Sequence, residues 1–204
     1  MTSKVEICNL ALIEAKYDET IESLTERSVA AERCNRLYDV CRRELLCNFP
    51  WVFATKFIKL ARASEDKVEG ALYAYTYPAQ AVRIVNIFSS EGDYKTKNTR
   101  IKSSDNTRVS YINDQKVILT DYKEPFAEII YDEQIEENFP PLFVRMLYLE
   151  IAIRLAKLSS ADSTDMRLLM TQLQTEGEKA KMQSVGEDDN HLCTEDDYYI
   201  RVRG

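Results

Sequence analysis

Glycine and histidine are scarce in this chain of 204 residues, which holds five glycines and one histidine. The glycines, Gly70, Gly92, Gly177, Gly186 and Gly204, stand far apart, so none belongs to a phosphate-cradling loop or a nucleophile elbow. The lone His191 leaves a histidine base or a multi-histidine metal site with little to work with. The cysteines, Cys8, Cys34, Cys41, Cys47 and Cys193, are odd in number and form no Cys-x-x-Cys pair, so they read as reduced thiols without a disulfide framework. Cys34 and Cys41 lie two helical turns apart on one face, a spacing that suits small buried residues better than metal ligands. No metal or cofactor is expected. Long apolar runs are missing too: Leu142 to Leu158 is interrupted by Arg145, Glu150, Arg154 and Lys157, so no membrane span is expected. The opening MTSKVEICNL lacks the apolar core of a signal peptide, and a cytosolic protein is the default expectation. Basic residues are outnumbered by acidic ones, 27 to 34, and the net charge of −7 argues against general binding to nucleic-acid phosphates. The richest basic cluster, Lys56, Lys59, Arg62 and Lys67, reads as a solvated surface.

What remains is an ordinary globular composition, 45% hydrophobic and 30% charged, long enough to bury a sizeable core. Val5, Cys8, Leu12 and Ala15 recur at helical spacing and predict a first helix over 4–16. Ser23-Leu24-Thr25-Glu26 matches the capping-box pattern and predicts a long helix starting within a few residues and running to about Asn48. Its inward stripe is Ala30, Cys34, Leu37, Cys41 and Leu45, with Arg33, Arg36, Arg42, Arg43 and Glu44 largely on other faces. Pro50 stops it, because the residue before a proline disfavours helical angles. Phe49, Trp51 and Phe53 crowd around that proline and read as a structural corner pinned into the core.

Residues 51–63 fit strand, helix or pieces of both, and 64–70 a surface loop. From Tyr73 the chain turns β-branched and aromatic: 73–88, 108–112, 116–120 and 126–131 read as strands, with a tight hairpin at Asn113-Asp114. Residues 89–107 read as a long exposed hairpin or loop. Helix returns over 142–158, apolar nearly all round and therefore central, with Asn138, Pro140 and Pro141 at its start. Asp162 opens a last helix to about Ser184, with Met166, Leu169, Met170, Leu173 and Ala180 inward. Residues 187–204 carry a dense acidic run and no helical period. The expected fold is therefore α+β and mainly α: a four-helix bundle, a small antiparallel β insertion at about 73–131 between the second and third helices, and an extended C-terminal tail. The domain reading is a helical body over 1–186 and a tail over 187–204.

Carboxylates are plentiful enough that counting alone leaves an acid pair for glycoside cleavage open. Glu150 sits in the apolar helix, but Arg154 follows four residues later, the spacing of an ion pair. In the tail, Tyr198, Tyr199, Ile200, Arg201 and Arg203 combine aromatic anchors with arginines, the residue types enriched at interfaces. From composition alone, a disordered terminus is slightly favoured over a docking peptide.

Several segments, in order, resemble the head-to-tail adaptors of short-tailed bacteriophages, the tail tubular protein A type. The resemblance rests on Ile21-Glu22-Ser23-Leu24, Ser28-Val29-Ala30-Ala31, Tyr38-Asp39, Arg42, Phe49-Pro50-Trp51-Val52-Phe53-Ala54 and Tyr73-Ala74-Tyr75-Thr76-Tyr77-Pro78. Order and spacing agree over roughly the first ninety residues, and more loosely after Phe139, through Leu155-Ala156. The family often places glycine in the turn after the first helix, where this chain has Lys16-Tyr17-Asp18, and an acidic residue where this chain has Gln80. The resemblance implies a virion protein without enzymatic activity, present in the host cytoplasm during assembly. It implies a ring, usually of twelve subunits, that binds the portal, extends the DNA channel without gripping the DNA, and receives the tail nozzle or fibres. It also turns the C-terminal tail into a portal-docking arm. The alternatives carried beside it are a tail-associated peptidoglycan-cleaving enzyme and a cytosolic protein-interaction module.

Overall fold

A computed structural model of the chain describes residues 3–63, 71–89, 107–159 and 163–190. The chain divides into a helical unit, residues 1–53 and 133–204, and a β unit, residues 54–132.

In the helical unit, α1 (Lys4–Glu14) starts at Ser3, whose Oγ accepts the Glu6 N–H at 3.2 Å. It ends in a left-handed residue, Lys16 at φ 58°. The Lys16 N–H reaches the Ile13 carbonyl at 3.0 Å, and the Tyr17 N–H reaches the Leu12 carbonyl at 2.9 Å. This closure satisfies the last free carbonyls and favours glycine at the left-handed position. Asn9 clasps Ile21 in the connector after it, donating to its carbonyl at 2.9 Å and accepting its N–H at 2.8 Å.

The capping-box residues fold as a turn rather than as the helix start. Glu26 reaches back to the Glu22 and Ser23 N–H groups at 2.9 and 3.3 Å. Ser23 Oγ, however, accepts from Thr25 at 3.2 Å, only two residues on. α2 (Val29–Asn48) begins at Ser28, whose Oγ takes the Ala31 N–H at 3.1 Å. Its buried residues are Ala30, Ala31, Cys34, Tyr38, Cys41, Arg42, Leu45 and Leu46. Leu37 is half-buried, and Arg42, expected on another face, is buried.

α3 (Pro141–Leu158) follows a 3-10 turn over Glu136–Asn138, with Pro140 as its N-cap and Pro141 in its first turn. It buries Phe143, Met146, Leu147, Leu149, Ile151, Ala152, Ile153, Leu155 and Ala156, residues from all round the helix, and packs on α1, α2 and α4. α4 (Ser163–Asn190) packs on α3, burying Leu169, Glu176 and Ala180, while Met170 is exposed. It continues past the expected end at Ser184.

The β unit holds β1 (Thr55–Lys59), β2 (Tyr73–Thr76), β3 (Ala81–Phe88), β4 (Arg108–Ile112), β5 (Gln115–Thr120) and β6 (Phe126–Tyr131). They form two antiparallel three-stranded sheets, ordered β1-β6-β3 and β2-β5-β4. The segment after β1 passes from one sheet to the other. The Leu60 N–H bonds to the Pro125 carbonyl at 3.0 Å beside the first sheet. Residues 61–63 then run along β2, through Thr76 N–H to Ala61 O at 2.8 Å and Ala63 N–H to Ala74 O at 2.9 Å. Leu60, Tyr75, Ile118, Ala127 and Ile129, drawn from both sheets, make a shared core. The opposite face of the second sheet buries Ala74, Val117 and Leu119. Asn113 and Asp114, at φ 47° and 62°, form the two-residue hairpin turn between β4 and β5.

These findings replace the expected architecture. The fold is a mixed α+β one, not a mainly helical four-helix bundle with a small β insertion. The four described helices are arranged around α3 as a hub. A bundle needs helices with matched stripes on two neighbours each; the described side chains of α4 present one narrow stripe, and α1 is only 11 residues long. The β part starts at Thr55, because residues 52–54 make a 3-10 turn and 55–59 then pair with β6. The six described strands, with their own core, form a unit in themselves.

Candidate functional site

The helical unit anchors the chain at both crossings to the β unit. At the first, Phe49 adopts extended angles (φ −146°, ψ 144°), as a residue before proline must. Trp51 is 6% exposed, and its indole N–H donates to the Leu45 carbonyl at 2.9 Å, one of the carbonyls that the helix end leaves free. Its ring meets Phe49 edge-on at 5.5 Å and Phe143 at 5.1 Å, with Phe53 tilted at 6.0 Å. Phe53 in turn packs on Phe143 at 5.0 Å and Phe139 at 6.0 Å. Phe143, fully buried in α3, is the hub of the cluster. Phe49, Pro50 and Phe53 are half-buried.

At the second crossing the chain returns at Glu133, which is 7% exposed. Its carboxylate accepts from the Gln134 and Ile135 N–H groups at 3.1 and 3.0 Å and from Asn138 Nδ2 at 3.1 Å. Its carbonyl accepts from the guanidinium of Arg42, itself 2% exposed and 3.4 Å from Asp39. One turn earlier on α2, the Tyr38 hydroxyl donates to Glu136 at 3.2 Å. Burial, reinforced by that carboxylate, pushes the Tyr38 phenol well above its ordinary range. Arg42, Tyr38 and Glu133 thus fasten the returning segment to α2 through polar contacts in a low-dielectric setting. Sequence reasoning missed Glu133 and placed Arg42 outside. The available signal was the order Tyr38-Asp39-x-x-Arg42, but a buried arginine shows only once its acceptor, 91 residues away, is in place.

Other sequence candidates resolve as structure. Arg154 binds Glu150 at 3.1 Å and also Glu44 across the α2–α3 contact, so Glu150 is an ion-paired residue. Cys8, Cys34 and Cys41 are fully buried. The hydrogen bond with Cys34, then burial, push the Cys8 thiol up, and burial pushes Cys41 up to about 12. Among the described residues, no group of three or more His, Cys, Asp or Glu is placed to hold a metal ion, and no helix is long and apolar enough to cross a membrane. The docking-tail candidates Tyr198, Tyr199, Ile200, Arg201 and Arg203 lie outside the described residues, as do His191, Cys193 and Lys67.

The basic cluster on the β unit divides. Lys59 pairs with Glu124 at 3.0 Å. Lys56, by contrast, lies 3.3 Å from the centroid of Tyr131, and Arg62 lies 4.8 Å from that of Tyr73. A third such contact, Lys116 over Tyr77 at 3.6 Å, was not expected. No family model matches the chain, and none of the curated proteins does.

Proposed function

We propose that the protein is a structural component of a phage virion, a head-to-tail adaptor that assembles as a ring beneath the portal and carries no enzymatic activity. The observation that carries the reading is the ordered series of segments over residues 8–88, which resembles the short-tailed phage adaptors. Most of its pieces have structural work in this fold. Ser28 caps α2, Tyr38 and Arg42 hold the returning chain, Phe49–Phe53 form the exit corner, and Tyr73-x-Tyr75-x-Tyr77 lines the β core. In this reading the neighbours are further copies of the chain, the portal protein, and a tail nozzle or fibre protein. DNA passes through the channel without specific binding, which suits the acidic balance. The C-terminal residues Tyr198, Tyr199, Ile200, Arg201 and Arg203 form the portal-docking arm.

The test is electron microscopy of the purified protein mixed with the portal protein of the same genome. Rings added beneath the portal support the reading, and portals left bare overturn it. Cleavage of purified peptidoglycan by the same preparation would favour the enzyme alternative instead.

A further inference from the structure

Among the described residues of the β unit, Lys56 and Lys116 form no ion pair with a carboxylate. Lys56 and Lys116 are exposed, and each ammonium lies over a tyrosine, Tyr131 and Tyr77 respectively. Both pairs sit at one end of the unit. The Tyr77 N–H bonds to the Lys116 carbonyl at 3.2 Å, which carries the β2–β5 register one step past Thr76. Tyr111 stands opposite Lys116 on β4, so Tyr77, Lys116 and Tyr111 form a row across one face. Tyr131 pairs with Ala81, at the start of β3, just after the turn that follows Tyr77. Tyr111 is 69% exposed, and Val109, two residues before it on the same face, is 49% exposed. This is a cationic face with uncovered aromatic and apolar surface, the mixture typical of protein interfaces.

The helical unit carries a complementary surface. The end of α1 and the connector after it expose Glu14, Asp18, Glu19 and Glu22, none within ion-pairing distance of a described cation. The one lysine among them, Lys16, is already engaged by Asp165 at 2.5 Å. Ile13, adjoining this stretch, is 62% exposed. One surface thus offers unpaired cations beside open aromatics, and the other offers unpaired carboxylates beside an open isoleucine.

We propose that copies of this chain meet head to tail, the Lys56–Tyr77–Tyr111–Lys116 face of one β unit receiving the acidic connector, residues 14–22, of the next copy. The contact uses two different patches, so it is heterologous, and repeating it closes a ring when the rotation per copy allows. The inference rests on the ring reading and supplies its subunit contact. A nucleic-acid strand could use the same cations and aromatics, but the acidic partner surface is carried by the chain itself.

The experiment mixes equal amounts of 15N-labelled and unlabelled full-length protein and joins neighbouring carboxylates and amines with a water-soluble carbodiimide. Mixed-isotope peptides linking Lys56 or Lys116 to residues 14–22 are expected. Their absence, or links only within one isotope, overturns the proposal. Self-association of Lys56→Glu/Lys116→Glu, followed by sedimentation velocity with circular dichroism as the folding control, is expected to fall about tenfold or more. It should return on mixing with Glu14→Lys/Asp18→Lys/Glu19→Lys. Unchanged self-association, with loss of a labelled single-stranded oligonucleotide that the wild type retains, assigns the face to nucleic acid and overturns the proposal. Rings under the portal that are indifferent to both variants refute this contact alone. Bare portals with wild-type protein count against the adaptor reading.

Discussion

Arg42, buried in α2, donates a hydrogen bond to the backbone carbonyl of Glu133, the residue at which the chain re-enters the helical unit. A guanidinium placed there supports a backbone turn as well as its own helix. Asp39, one turn away, is largely exposed, so its pairing with Arg42 adds little. Replacing Arg42 with Met keeps most of the packing and leaves the Glu133 carbonyl without its donor. The expected cost is about 1–3 kcal/mol in urea unfolding. Arg42→Lys should recover only part of it, since an ammonium cannot span Glu133 and Asp39 as a fork.

Trp51 combines packing with one hydrogen bond, and two variants separate them. Trp51→Ala empties the slot beside Phe143 and should cost about 3–5 kcal/mol. Trp51→Phe keeps much of the ring contact and loses the bond to the Leu45 carbonyl, at about 1 kcal/mol beyond the smaller packing loss. Equal thermal unfolding of Trp51→Ala and wild type would contradict the burial seen here.

Lys16 holds a left-handed conformation that costs a residue with a Cβ about 1 kcal/mol. Lys16→Gly removes that strain and gives up a surface ion pair with Asp165, worth under about 1 kcal/mol. The variant should be as stable as the wild type or slightly more so. A glycine at this position would have the same physical meaning. A clear loss of stability would show that the ion pair outweighs the backbone.

Cys41 is kept protonated by burial, with Glu150 and Glu44 adding to the effect and Arg154 opposing it. Its folded-state value of about 12 exceeds that of an unfolded thiol, so it contributes stability below the unfolded value and loses it as pH rises toward the folded one. Wild-type stability should therefore fall between about pH 8.5 and 10, and more steeply than that of Cys41→Ala. Parallel slopes would contradict this. In the same range Cys8, Cys34 and Cys41 should resist iodoacetamide in the native protein, while the half-buried Cys47 reacts.

Glu150→Gln tests the enzyme alternative. Glu150 and Arg154 are partly exposed, so the variant should stay folded and lose no more than about 1 kcal/mol. Peptidoglycan cleavage by the wild type that vanishes in this variant would reverse the functional conclusion.

Local signals were legible where the physics is local. Pro50 ends α2, Asn113-Asp114 turns a hairpin, and the all-round apolar 142–158 stretch becomes the central helix, because each depends on a few neighbouring residues. The capping box misled because Glu26 does bond back to Ser23, but the chain turns once more before Ser28 opens α2. β1 stayed ambiguous because its pattern, half-buried and exposed, carries no clean alternation until β6 pairs with it. At the candidate site, the aromatic corner was readable from composition around a proline, whereas the Glu133 clasp was not, since its partners are far apart in the chain.

The sequence by itself determined the absence of glycine-rich and multi-histidine motifs, the positions of most helices and strands, and the ordered segments on which the proposed role rests. Tertiary structure decided the rest. It made α3 a hub rather than one member of a bundle, because the described side chains of α4 bury one narrow stripe against it. It gave the strands two sheets with a common core, because the segment after β1 crosses from one ladder to the other. It also placed Arg42 inside, because only the fold brings the carbonyl of Glu133 within its reach.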